Sequence, residues 1–295
     1  MNLYKNRASR NTKPCQARYF AKLTSVAIPG TILLERYRIV RPFARGASSV
    51  VYLAFDQFGT PFAVKLFPAE MASRADREYL VGSQLRHRNV NPILGRVTVE
   101  GQPGLLMPFA PGTRFSEWVG EHGLQKFLEV FVQVLEGLAH IHSRGFVHRD
   151  IKPDNVVVSP GDGPSGLEAK LIDFDLSGPP NEVFRDRVTA GTVAYLSPEA
   201  VRGQPLNHAT DLYSAGVMLY WGITGQLPFD GDPQVVMRSH VNSLPPEPSS
   251  IRTGGTSHVL DKVALRLLEK DPARRYPDAL AILTELGKLT SIEDS

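Results

Sequence analysis

The sequence predicts an α+β fold in two parts: a small antiparallel β-sheet carrying one key helix, then a larger, mainly helical half. Three observations predict it. Residues 37–67 break into short runs rich in Val, Tyr and Phe, separated by Gly or polar turns. Beyond Pro111-Gly112, apolar residues recur at helical spacing, as in Phe127, Leu128, Phe131, Val132, Leu135 and Leu138. A chain of 295 residues is also long enough for two lobes with a sizeable core.

In order, residues 37–43, 50–55 and 62–67 read as strands, 71–85 as a helix, and 92–99 and 104–109 as two more strands. Helices follow at 125–142, 209–224, 258–268 and 276–289. Short strands at 155–158 and 169–172 interrupt this half, joined by the loop 159–166, which reads SPGDGPSG. The change of pattern near residues 107–112 predicts a cleft there, where ligands usually sit.

Composition excludes several classes. Apolar residues make up 42% and charged residues 21%, ordinary for a globular protein. The net charge of +3 is too small to imply nucleic-acid or membrane binding. Residues 1–30 hold the bases Lys5, Arg7, Arg10, Lys13, Arg18 and Lys22 and no acid, which reads as a solvated, disordered tail, with a transit peptide or an arm for an anionic surface as the alternatives. The single cysteine, Cys15, cannot form an intrachain disulfide or build a zinc site alone. No apolar run approaches the ~20 residues of a membrane helix, so a cytoplasmic chain without a membrane span is expected.

The densest chemical signal is Val147-His-Arg-Asp-Ile-Lys-Pro-Asp-Asn155. It resembles the catalytic loop of protein kinases, H-R-D-x-x-x-x-N. The resemblance spans roughly residues 37–289 and is nearest to bacterial-type Ser/Thr kinases, through Gly191-Thr192-Val-Ala-Tyr-Leu-Ser-Pro-Glu199. It implies a two-lobed fold with an N-lobe at 37–107, a hinge at 108–112 and a C-lobe at 113–289. Residues 1–36 would then form a basic extension and 290–295 a tail.

The implied activity is transfer of the ATP γ-phosphoryl to protein serine or threonine hydroxyls. Asp150 would accept the proton of the substrate hydroxyl, and Lys152 would contact the transferring phosphate. Asn155 and Asp173, the latter opening Asp173-Phe174-Asp175, would hold Mg²⁺, with Mn²⁺ as the alternative ion. Lys65, closing Ala63-Val64-Lys65, would pair with the nucleotide phosphates and with Glu78 on the following helix. Phe43, Ala44, Arg45, Gly46 and Ser49 would cover the nucleotide. Val51, Ala63 and Val157 would sandwich adenine, with Met107 as gatekeeper and Pro108 and Ala110 supplying the hinge carbonyl and amide. Thr192, Glu199, Asp211 and Arg275 would be scaffold residues, with Glu199 paired to Arg275 and Asp211 bonded to the catalytic-loop backbone. Arg149 would receive a phosphate from the activation loop, with Thr189 as first acceptor and Ser177 as second.

The chain departs from the family pattern in several places. Ala44 and Ser49 replace two glycines of the phosphate-covering loop, where a non-glycine forced to positive φ costs about 1–2 kcal/mol. Asp175 replaces the glycine of D-F-G, and Gly82 replaces a bulky apolar residue one turn after Glu78. These changes keep open an ATP-binding scaffold without turnover. They also predict that the helix carrying Glu78 is mobile until a regulatory partner or a second copy docks on it. A small-molecule kinase is a third reading, disfavoured by Lys152 and by the segment ending in Glu199.

Overall fold

The computed structural model describes residues 29–293, apart from residues 47, 120–121, 164, 184–189 and 253–257. They fall into two compact units. The first runs to Arg86 and resumes over Asn91–Ala110; the second holds His87–Val90 and everything from Pro111 onward.

The first unit is one antiparallel sheet of β1 (Ile32–Leu33), β2 (Tyr37–Arg45), β3 (Val50–Phe55), β4 (Pro61–Leu66), β5 (Gly95–Val99) and β6 (Gln102–Pro108). Its strand order is β1-β2-β3-β4-β6-β5. Alternation sets its two faces. Along β3, Val50, Tyr52 and Ala54 are buried, while Val51, Leu53 and Phe55 are half-buried on the other face. The buried set packs with Ile39, Val64, Val97 and Leu106. Pro42 cannot donate to a regular ladder, and it sits where β2 slips register between Pro42 and Ala44. The sheet begins before residue 37, because Ile32 pairs with Arg38. Residues 1–28, including the basic tail, lie outside the described residues.

Helix α1 (Ala72–Gly82) buries Ala75, Glu78, Val81 and Gly82. It ends three residues before the expected end at 85. The reason is tertiary: the Gly82 carbonyl accepts from the Ile93 amide at 3.1 Å, which draws the chain away from the helix path.

The second unit carries a three-stranded antiparallel sheet of β7 (Thr113–Arg114), β8 (Val156–Pro160) and β9 (Leu167–Leu171). A small pair, β10 (Glu182–Val183) and β11 (Pro205–Leu206), lies apart from it in the strand pairing. The long helices are α2 (Leu124–Ser143), α3 (His208–Thr224), α4 (Pro233–Asn242), α5 (His258–Leu267) and α6 (Ala279–Glu293). Helix α3 is the core element: Leu212, Tyr213, Ala215, Val217, Met218, Leu219 and Tyr220 are all fully buried. It stops at Gly225, whose φ of 72° is the left-handed cap glycine tolerates.

Residues 87–90 join this unit because the Asn89 carbonyl accepts from Leu171 N at 2.8 Å and Asn89 Nδ2 donates to the Ala169 carbonyl at 2.8 Å. Gly137 of α2 permits that approach, since a Cβ there would stand 2.8 Å from the Asn89 carbonyl oxygen. Helix α4 was not expected from the sequence, although Asp232 caps it by accepting from Gln234 N and Pro233 opens it. Helix α6 runs through residue 290, so the proposed tail is largely helix.

Gly82 gives the end of α1 no side chain to pack and weakens a helix by about 1 kcal/mol relative to alanine. Amide exchange measured on the isolated chain without nucleotide is expected to be faster across 72–85 than across α3. Equal, strong protection of both helices would refute this.

Candidate active site

The chemistry-bearing loop of the second unit is held from beneath by α3. Asp211 on that helix is fully buried. Its Oδ2 accepts from His148 N and its Oδ1 from Arg149 N, both at 2.7 Å. His142 Nε2 donates to Oδ2 at 2.9 Å. Burial alone would push this carboxyl up. The His142 hydrogen bond, the proximity of the two imidazoles and the His148 amide outweigh it and hold the group below its ordinary value. Arg149 has a φ of 66°, a left-handed conformation that a non-glycine residue adopts at a cost of about 1–2 kcal/mol. The bond from its amide to Asp211 holds it there and aims Asp150.

Around Asp150 the polar groups converge. Lys152 Nζ donates to both Asp150 carboxylate oxygens, at 2.8 and 2.7 Å. It also donates to Thr192 Oγ1 at 2.9 Å, while that hydroxyl donates to Asp150 Oδ1 at 3.3 Å. Asn155 Nδ2 donates to the Asp150 carbonyl at 2.9 Å and to Oδ2 at 2.8 Å. Thr192, expected to be scaffold, therefore touches the carboxylate directly. His148 is buried, and burial pushes its imidazole down, toward the neutral form. Its Nδ1 accepts from Asp150 N at 3.3 Å.

Strand pairing brings Asn155 and Asp173 into one place. Val156 of β8 pairs with Leu171 of β9, and Ile172 N donates to the Asn155 carbonyl at 2.9 Å. Asp173, next along, has a φ of 69° and an exposed side chain. Because both hydrogen bonds of Asn155 Nδ2 go to Asp150, the amide orientation is fixed and Oδ1 is its remaining oxygen. One amide oxygen and one carboxylate fit a hard divalent cation that takes its other ligands from phosphate and water. Among the described residues no cluster of three or more His, Cys, Asp or Glu side chains could hold a metal by itself.

In the first unit, Lys65 and Glu78 meet. Lys65 Nζ lies 2.9 and 2.7 Å from the two Glu78 carboxylate oxygens, and both side chains are nearly inaccessible. Cross-strand register places Ala44 opposite Val51, Val51 opposite Lys65 and Ala63 opposite Met107. Directly opposed residues share a face, so Ala44, Val51, Ala63, Lys65 and Met107 line the face away from the core. Gly46 N donates to the Ser49 carbonyl at 2.9 Å, closing the turn between β2 and β3. Neither Ala44, Ser49 nor Asp175 is among the residues at positive φ, so the strain expected of these substitutions does not arise. The Pro108 carbonyl already accepts from Asn91 Nδ2 at 3.1 Å, leaving one lone pair for a ligand. Phe43 is half-exposed and packs edge-on against Phe109 at 4.9 Å. Arg45 ends β2 opposite Val50, and Ala110 ends the unit. Val157 lies on β8, in the second unit.

Glu199 and Arg275 form a buried two-pronged pair at 2.7 and 2.8 Å, and Thr210 Oγ1 donates to Glu199 at 3.0 Å. Ser177 is buried with its hydroxyl donating to the His148 carbonyl at 3.0 Å, which argues against its being a phosphate acceptor. Thr189 lies outside the described residues. The Arg149 guanidinium donates to the Pro179 carbonyl and, at 3.1 Å, to Glu182. Sequence reasoning missed His142 and Glu182. His142 is legible in part, since it continues the buried face of α2 one turn beyond Leu138. Glu182 has no sequence signal.

A family model described as "Protein kinase domain" matches residues 37–284. The probable serine/threonine-protein kinase PknB of Lactococcus lactis is 28% identical over 278 residues, covering 90% of this chain and 43% of that protein. The DNA damage-responsive serine/threonine-protein kinase RqkA of Deinococcus radiodurans is 34% identical over 276 residues, covering 88% of this chain and 40% of its own length. The chain thus spans less than half of these relatives. In fold it resembles the kinase domain of PknI from Mycobacterium tuberculosis, with a TM-score of 0.68 at 22% identity, covering 90% of this chain and 99% of that one.

The buried pair gives a pH signature. Burial pushes Glu199 up, but Arg275 and Thr210 hold it below its ordinary value of 4.5. A depressed carboxylate contributes its full stability above the unfolded value and loses it as pH falls through the folded one. Glu199→Gln is therefore expected to destabilise by about 3 kcal/mol at neutral pH, because Arg275 is left buried without its charge partner. In thermal melts, the gap between wild type and variant should stay constant down to about pH 4.5 and close below it. A gap that persists unchanged into acid would contradict this.

Proposed function

The chain belongs to the protein kinase family, and on that premise we propose that it transfers the γ-phosphoryl of ATP to serine or threonine hydroxyls of proteins. One observation carries the reading: Asp150, Lys152, Asn155 and Thr192 converge in a single hydrogen-bonded group, with Asp173 next to Asn155's backbone partner.

Asp150 takes the proton of the incoming hydroxyl through an oxygen that Thr192 and Lys152 now occupy. Lys152 carries the positive charge that meets the transferring group. Asn155 and Asp173 would hold Mg²⁺, or Mn²⁺ in its place, which when bound neutralises phosphate charge. Lys65, oriented by Glu78, contacts the nucleotide phosphates. Use of ATP and of protein substrates fits a cytoplasmic setting, and no helix among the described residues is long and apolar enough to cross a membrane. A regulatory partner or second copy would dock on the outer face of α1, where Leu80 is exposed.

The alternative of an inert scaffold rested on Ala44, Ser49, Gly82 and Asp175. It loses support because Ala44, Ser49 and Asp175 carry no positive-φ strain and Lys65 is paired with Glu78.

Radiolabel transfer from ATP to a generic protein acceptor tests the proposal. Asp150→Asn is expected to lower the rate by about 10²–10⁴-fold, the usual contribution of a positioned base. Chelation should abolish transfer, and Mg²⁺ or Mn²⁺ should restore it. Equal background signal from wild type and Asp150→Asn would favour the scaffold. Phosphopeptide mapping of the active sample is expected to show phosphate at Thr189, and a bare Thr189 would remove that site.

A further inference from the structure

Arg149 is the residue before Asp150, and its guanidinium is buried in a way a free cation would not tolerate. Its side chain is 7% exposed. It packs so closely over Gly178 that a Cβ there would stand 2.9 Å from Arg149 Nη1. Nε is buried without a hydrogen-bond partner. Nη2 donates to the Pro179 carbonyl and to Glu182 Oε2. Among the described residues, the carboxylate recorded on this guanidinium is that of Glu182. A buried guanidinium needs an anion, and its planar fork donates to carboxylate and phosphate alike.

Glu182 is itself anchored. It belongs to β10, where it pairs with Leu206 of β11, and the neighbouring Asn181 N donates to the Leu206 carbonyl at 2.6 Å. Asn181 adopts a φ of 66°, which turns the chain at this point. Val147 and Gly178 exchange both backbone hydrogen bonds, at 2.8 and 3.1 Å, just ahead of the loop. Glu182 therefore links the β10–β11 pair to the backbone that presents Asp150.

We infer that Glu182 is a positioning residue: its carboxylate on Arg149 keeps the catalytic loop aligned in the unphosphorylated chain, so transfer requires no phosphate between Asp173 and Thr192. The inference rests on the proposed phosphotransfer activity and goes beyond it. Glu182 is 55% exposed, so the contact is open to salt, which distinguishes it from the buried Glu199–Arg275 pair.

The test uses the full chain freed of phosphate and checked by intact mass, as wild type, Glu182→Ala, Glu182→Gln and Glu182→Asp. Phosphate-free wild type is expected to transfer phosphate. Glu182→Ala and Glu182→Gln should lose about tenfold in kcat, the scale of a small misplacement of the base. KM for ATP should change by less than about twofold, since the loss falls on the transition state and not on nucleotide binding. Glu182→Asp should recover part of the loss. Raising salt should bring wild-type kcat toward that of Glu182→Ala while leaving the variant unaffected. Amide exchange at His148–Asp150 should accelerate in Glu182→Ala, with α5 unchanged.

Unchanged kcat in both neutral variants overturns the inference. So does a wild type that is silent until phosphorylated. If wild type is inert in both states, the proposed activity is what fails. Exchange then decides the positioning role by itself, and unaltered exchange at His148–Asp150 overturns it.

Discussion

A single buried carboxylate organises the second unit. Asp211 has no solvent to hydrate it, and an unpaired charge at that depth would cost several kcal/mol. It is tolerated because each oxygen has a donor of fixed direction: two consecutive backbone amides and one imidazole. Since α3 is buried almost throughout, the oxygens are as immobile as the core. The strained backbone of Arg149 and the aim of Asp150 follow from that anchor. The same anchor keeps His142 in place, which ties the end of α2 to the loop as well.

The first unit uses a different device for the same purpose. Lys65 lies on the sheet face away from the core, and the carboxylate of Glu78, thirteen residues on, holds its ammonium. A buried ion pair of this kind is a weak source of net stability, because desolvation offsets most of the attraction. Its value is positional. It couples the orientation of α1 to that of β4, so the lysine points correctly only when the helix is docked.

What the sequence made legible was what depends on local pattern. The alternation of β3 and the buried stripe of α2 are set by strand and helix periods, and both elements formed where those periods place them. The loop from His148 to Asn155 was readable because its residue types and spacing are dense. What was not legible depends on contacts between distant segments. Gly82 ends α1 because Ile93 reaches its carbonyl. Ser177 looks like an available hydroxyl until the fold buries it on His148. Glu182 meets Arg149 across thirty-three residues, with no periodicity to announce it. The loop substitutions at Ala44 and Ser49 looked costly only under the assumption of glycine-like backbone angles, which neither residue adopts.

Thr192 gives the carboxylate of Asp150 a full complement of partners before any acceptor arrives. One oxygen holds Lys152 and the Thr192 hydroxyl; the other holds Lys152 and Asn155. Under the proposed activity, an incoming serine or threonine would not fill a vacancy there. It would exchange with a hydroxyl of its own chemical kind, one hydrogen bond for another, so its arrival would cost little net enthalpy. Selection among acceptors would then come from the rest of the peptide, because the reacting hydroxyl is matched in advance by one the protein already owns.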